Sequence, residues 1–261
     1  MQTLVILAQS QDTIALALAN YIRQQSQLRV EFVTDLDLIT APDWQISLST
    51  ATSEWRIVLA DGRVLSSDTV DTVYSRLSYL QSAAFRHQAD TDYAQAEWHA
   101  MIAGWLRHLG SALVGALLPT SLAATSANPL LRLYQLAQAG LPVTNLSVST
   151  MDRSLSQQGQ LDNRTGKWQQ EPLSIQSDSV LATGKSLTGS LAGRFKPAIH
   201  QLQADLGSDL LQVYFIRTVQ GDWKATDYQT QVALRTPDEL SALAQYLIYY
   251  ATSTTLIDHV L

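Results

Sequence analysis

At 261 residues the chain is long enough for one large domain or for two or three subdomains sharing a core. Hydrophobic residues make up 46% and charged residues only 15%, under the roughly 25% typical of soluble domains, so Gln, Ser, Thr and Ala fill a surface with room for a partner interface. The net charge of −6 argues against a nucleic-acid partner, and the absence of cysteine excludes disulfides, thiolate catalysis and cysteine-ligated metal.

The N-terminus carries no basic residue before its short apolar run, unlike a signal peptide. No run approaches the roughly eighteen apolar residues of a membrane span. A cytoplasmic protein with no membrane contact is expected. Residues 4–7 read as a buried strand. Asp12 and Thr13 can cap the following helix, which carries Ile14, Leu16, Leu18, Tyr21 and Ile22. Residues 30–33 return as a second strand, so the opening is β-α-β and parallel. Asp61-Gly62 between residues 55–59 and 63–65 signals a hairpin. Residues 71–76 form a further strand.

Thr91 or Asp92 starts the longest helix, which runs to Leu109 with Gly110 as its stop. Its apolar residues, from Tyr93 and Trp98 to Trp105, spread so widely that more than one covered face is expected. A short strand at 112–114 follows. Asn128-Pro129 opens another helix, Gly140 closes it as a left-handed cap, and a strand at 146–149 comes next. Between 151 and 194 the pattern weakens into turn residues, with short strands read near Trp168 and Val180. Regularity returns with a strand at 210–217, a turn at Gly221-Asp222 and a strand at 223–226. Thr236-Pro237 then starts a helix, and residues 256–261 read as a terminal strand.

Single residues carry little chemistry by themselves. Gly184-Lys185-Ser186 lacks the earlier glycine of a phosphate loop, because Ser179 stands in its place. The five histidines show no metal-ligand spacing. Arg76 and Arg217 each read as an anion ligand or as a strand-end ion pair. Glu97 reads as a ligand contact or as an offset to the helix dipole, and Trp98 as core.

In order, several pieces resemble the ATP-grasp superfamily, and within it the peptide ligases that make ester and amide crosslinks in microviridin-type peptides (graspetides, a class of RiPP). They are the strand Val73-Tyr74-Ser75-Arg76, the helix containing Glu97-Trp98, the Asn128 helix with Ala139-Gly140-Leu141-Pro142-Val143, the hairpin turning at Gly221-Asp222, and the helix-then-strand after Thr236. Such ligases activate a carboxylate as an acyl phosphate that an amine or hydroxyl attacks. Phosphoryl transfer needs lysines on the phosphates and magnesium held by acids. Pro129 stands where the resemblance places the first lysine, and the chain has no lysine before Lys167. Lys196-Pro197 resembles the strand that bears the second lysine, with Lys185 as the other candidate. The metal-binding Glu and Asn would lie beyond the last residue, Leu261.

The resemblance therefore implies an α/β chain with a degenerate and truncated ATP-binding part. Its N-terminal parallel-sheet, pre-ATP-grasp-like domain spans 1–117. A partly irregular central ATP-grasp-like subdomain spans 118–209, and a truncated, reduced α+β lobe spans 210–261. The expected function is a pseudoenzyme with no catalytic residue, metal or cofactor, which binds a peptide or protein as a dimer or beside an active ligase. Lys185, Lys196 and Arg217 are the candidate nucleotide contacts; Arg76 and Glu97 are the candidate partner or anion contacts. Two alternatives stay open. One is an active ATP- and magnesium-dependent carboxylate–amine or carboxylate–alcohol ligase using Lys185, Lys196 and acids such as Asp209, Asp222 or Asp227. The other is a nucleotide sensor that binds without turnover.

Overall fold

β1 (Thr3–Ala8) is apolar after its first residue, and all six residues are buried. Such a run suits the inside of a parallel sheet covered on both faces. In the computed structural model, which describes residues 2–48, 53–80, 86–115, 128–144, 160–161, 168–169 and 173–254, β1 is central. It lies between β2 (Arg29–Thr34) and β6 (Thr72–Ser75), with β7 (Leu113–Val114) beyond, in the order β2-β1-β6-β7. Every pairing is parallel, with Leu4 opposite both Val30 and Thr72. The connection is α1 (Thr13–Gln25), whose N-cap Asp12 accepts from the Ala15 N–H at 2.9 Å. Ala15, Leu18, Ala19 and Ile22 recur on its buried face.

A short helix, α2 (Asp35–Ile39), follows β2 and is closed by a capping box between Thr34 and Asp37. The chain then forms an antiparallel meander of β3 (Asp43–Leu48), β4 (Ser53–Val58) and β5 (Val64–Ser66). The expected hairpin is β4–β5, and Gly62 supplies the positive φ of its turn. α3 (Gln88–His108) begins a few residues before the predicted start. It buries only Ile102, Trp105 and Leu106, while Tyr93 stays 68% exposed, so one face rather than several is covered. Trp105 is the reason one face suffices: it meets Trp55 edge-on at 5.2 Å and Trp44 at 5.6 Å.

α4 (Pro129–Gln138) has proline at its first turn and Asn128 as cap, whose side chain accepts from the Leu130 N–H at 2.9 Å. It belongs with the sheet β11-β10-β12-β13, made of β10 (Leu173–Thr183), β11 (Ser186–Thr188), β12 (Leu210–Thr218) and β13 (Trp223–Gln229). The two-residue strands β8 (Gln160–Leu161) and β9 (Trp168–Gln169) pair with each other. α5 (Ala192–Leu206) sends Phe195, Ile199 and Leu202 onto the sheet, with Phe195 stacked on Phe215 at 4.8 Å. Gly189 permits the turn before it; a Cβ there would stand 2.5 Å from the Ser179 carbonyl oxygen. Two expectations change here. The strand near Val180 is the eleven-residue β10 rather than a short one, the helix α5 follows the stretch of weak pattern, and Lys196-Pro197 lies inside α5 rather than on a strand.

α6 (Pro237–Thr254) closes the described chain. Its start is a reciprocal cap: Glu239 accepts from the N–H groups of Arg235 and Thr236, and Thr236 Oγ1 accepts from the Glu239 N–H. The molecule is α/β and divides into two compact units, Met1–Ser126 with Thr230–Leu261, and Ala127–Gln229. Residues 210–261, read as one lobe, split at Thr230, because the chain returns to the parallel sheet after β13. No helix among the described residues is long and apolar enough to cross a membrane. The strands expected at 146–149 and 256–261 lie outside the described residues.

Candidate functional site

The parallel sheet brings Arg76 to the C-terminal ends of β1 and β6, where the loops after both strands meet. Arg76 N–H continues the ladder to the Leu7 carbonyl. Its side chain is buried: Nε donates to Asp12 Oδ2 at 2.8 Å, and Nη1 donates to the Val232 carbonyl. Gln231 Nε2 donates in return to the Arg76 carbonyl at 2.6 Å. Asp12 thus caps α1 with one oxygen and holds Arg76 with the other. Burial pushes the Tyr74 hydroxyl up, against the opposing pull of the Arg76 cation. Arg76 also stays charged beyond its ordinary range: burial works against it, and Tyr74 and Asp12 more than offset that loss.

The same strand ends carry a neutral lattice. Gln9 Nε2 donates to Ser78 Oγ at 2.9 Å and to the Tyr79 carbonyl at 3.2 Å, and Gln11 Nε2 donates to the Tyr79 hydroxyl at 2.6 Å. Asp35 is fully buried and accepts from the Ser10 N–H at 2.9 Å. This arrangement pins loops. Arg76, an anion-ligand candidate by sequence, is an internal clasp by geometry, and Glu97 is exposed on α3.

The other candidate cations lie on the antiparallel sheet. Lys185 is exposed in the turn between β10 and β11, and the adjacent Gly184 N–H donates to the Asp209 carbonyl just before β12. Arg217 is exposed near the far end of β12, with Nε on the Gly221 carbonyl at 3.2 Å and Nη1 on Gln176 Oε1 at 3.1 Å. Seven strand steps from Leu210 to Arg217 separate those ends by about 23 Å. Lys196 is exposed on α5, seven residues before Gln203, or about 10 Å along the helix axis. Gln203 in turn donates to the carbonyls of Gly184 and Asp209. The three cations do not converge.

On the sheet face away from α5 stands a network that sequence reasoning missed. Gln212, fully buried, donates to Ser179 Oγ at 3.2 Å and accepts from the Tyr214 hydroxyl at 2.9 Å. Gln229, directly across the ladder from Gln212, lies 3.4 Å from the same hydroxyl. Asp227 pairs with Arg132 of α4 through Nε–Oδ1 at 2.6 Å and Nη2–Oδ2 at 3.4 Å. Tyr228 donates to Gln135 Oε1 at 2.6 Å, its hydroxyl raised by burial, against the pull of Arg132 and helped by Asp227. These groups clamp α4 to β13. Asp209 and Asp222, the other acids considered, are exposed at opposite ends of β12. Among the described residues no group of three His, Asp or Glu side chains is gathered to hold a metal ion.

No family model matches the chain, and no curated protein matches it. Solved structures do. Over 95% of this chain and 100% of the other, it is similar to the macrocyclase MdnB from Microcystis aeruginosa MRC, at 16% identity and a TM-score of 0.69. The macrocyclase MdnC bound with precursor peptide MdnA, from the same organism, is similar over 95% of this chain and 99% of that one, at 12% identity and a TM-score of 0.70. A Chryseobacterium gregarium RiPP-associated ATP-grasp ligase in complex with ADP and a leader and core peptide is similar over 98% and 96%, at 9% identity and a TM-score of 0.62. The fold is that of the ATP-grasp peptide ligases. Within it, Lys185 and Arg217 stand at opposite ends of β12.

Proposed function

We propose that this chain is a pseudoenzyme of the ATP-grasp fold that binds a peptide or protein partner in the cytoplasm and does not join carboxylates to amines or alcohols. One observation carries the reading. The sheet face bearing Gln212, Tyr214 and Gln229 offers a neutral hydrogen-bonded network at one end, Lys224 stands further along the same face opposite Ile216, and Asp227 is already paired with Arg132. Phosphoryl transfer demands converging cations and free carboxylates around the transferring group; on this face Asp227 is engaged by Arg132, which leaves no free carboxylate among its described residues. A peptide partner is favoured because proteins sharing the fold are solved with precursor, leader or core peptides. Association with a second copy or with an active ligase completes the proposal.

The test is incubation of the purified chain with labelled ATP, magnesium and candidate precursor peptides. The expected result is no phosphate release and no loss of water from the peptide, together with saturable peptide binding. Turnover that requires this chain alone would overturn the proposal. Thermal stabilisation by ATP without hydrolysis would establish the sensor reading instead.

A further inference from the structure

We propose that the free edge of β3 docks an extended peptide in which apolar residues alternate with basic ones. The proposal names the binding surface for the peptide partner inferred above and rests on that reading.

The backbone decides which residues face the edge. Leu59 N–H bonds to the Arg63 carbonyl, and Ser67 N–H to the Trp55 carbonyl, so Trp55, Ile57 and Leu59 turn their backbone groups toward β5. Glu54, Arg56 and Val58 must therefore turn theirs toward β3, where they oppose Ser47, Gln45 and Asp43. The N–H and C=O groups of Trp44 and Ile46 are left pointing away from the sheet. Among the described residues, β3 pairs on the β4 side only, over six residues and without a register shift.

Other long edges of this protein are blunted. Arg29 N–H bonds to the Gln2 carbonyl, so Val30 and Phe32 face the free edge of β2. Both of their carbonyls are taken by guanidinium groups: Val30 by Arg23 at 2.9 Å and Phe32 by Arg63 at 2.9 Å. β13 carries a bulge against β12, and β5 and β11 are three residues long. These are common protections of an unpaired edge. Among the described residues, β3 has none of them across Trp44, Gln45 and Ile46.

The two faces beside that edge specify the guest. Below it, Trp44 and Ile46 are half-buried, and Trp44 meets Trp98 of α3 edge-on at 6.2 Å, which leaves an apolar step. Glu97 precedes that tryptophan. Above it, a groove of about 650 Å³ crosses the polar face past Gln45, Ser47, Glu54, Arg56 and Asp68. Two carboxylates, Glu54 and Asp68, line it against one cation, Arg56, whose charge Asp43 beside the groove already pairs at 3.1 Å. A strand laid antiparallel, as the meander already runs, places one set of side chains beside Trp44 and Ile46 and the other beside the carboxylates.

The probe is a blocked hexapeptide alternating lysine and valine, titrated against the full chain. In antiparallel register the valines face Trp44 and Ile46 directly, so their N–H groups make the bonds. Saturable binding below about 1 mM is expected. N-methylation of the valines should weaken it about tenfold or more, as expected for two lost hydrogen bonds, while N-methylation of the lysines should change it less than about threefold. Gln45→Lys, on the polar face, should weaken the unmodified peptide, and hydrogen exchange at the Trp44 and Ile46 amides should slow in the complex. Equal binding of both methylated peptides, absence of saturable binding, or a peptide-free dimer that itself protects those two amides would overturn the proposal. ATP turnover in the same samples would end the pseudoenzyme reading and leave the docking result standing. Peptide binding without protection of the β3 amides would do the reverse.

Discussion

Among the described residues, each unit contains one arginine–aspartate pair with both side chains less than one-third exposed, and the two pairs are built differently. In the parallel-sheet unit, the side chains of Arg76 and Asp12 are 6% and 13% exposed, and the arginine also holds the Val232 carbonyl. In the antiparallel unit, those of Arg132 and Asp227 are 16% and 29% exposed, and they tie a helix to an outer strand. Water can reach the second pair and soften the loss of a partner. It does so less for the first, where removing Arg76 leaves the Asp12 charge largely buried without its counter-charge. Identical chemistry thus serves as a keystone in one unit and as a fastening in the other.

The harshest way to break that contrast is Arg76→Met. It strands Asp12 and the Val232 carbonyl together and should destabilise the protein by about 3–5 kcal/mol in urea unfolding. Arg132→Met should cost about 2 kcal/mol, the scale of a charged hydrogen bond with some access to solvent. Equal losses would show that burial does not separate the two pairs.

Alkaline titration sharpens the comparison further. The folded-state value of Tyr74 lies above that of an unfolded tyrosine, about 10, because burial disfavours the phenolate. The native state therefore holds this proton more tightly. The stabilisation is complete below about pH 10 and is lost as pH climbs through the folded value. Unfolding followed from pH 9 to 12 should show that decline in the wild type and a shallower one in Tyr74→Phe. Tyr228→Phe should alter the curve less, since Arg132 lies against its hydroxyl and that residue is less buried.

The smallest expected effect is at the surface. The backbone N–H of Arg63 and then its side chain hold the Asp61 carboxyl below the usual aspartate value. An NMR titration should place its midpoint there, and Arg63→Ala should raise it toward the ordinary value.

Much of the parallel-sheet unit was legible in the sequence, because its signals are local. The apolar run of β1, the Asp12 cap and the Asp61-Gly62 turn each act within a few residues. The antiparallel unit hid its order. α5 carries Phe195, Ile199 and Leu202 at helical spacing, yet Pro197 sits inside it and turn-forming residues surround it. β10 alternates toward serines on its second face, which mimics a loop. β3 was legible and went unread: Trp44 and Ile46 alternate with Asp43, Gln45 and Ser47 in a plain strand pattern. The candidate cations were found as residues but not as a site, since only the sheet register reveals that Lys185 and Arg217 are a strand's length apart. The Arg132–Asp227 pair spans 95 positions, and no local rule can foresee it.

The return of the chain at Thr230 has a consequence for biosynthesis. Gln231 and Val232 emerge from the ribosome some 155 positions after Arg76. The inserted unit can finish folding while the surrounding one still waits for its last partners. During that interval a bare guanidinium and the unclosed end of the parallel sheet are open to whatever is nearby, so the strands made before the inserted unit are sealed only after it.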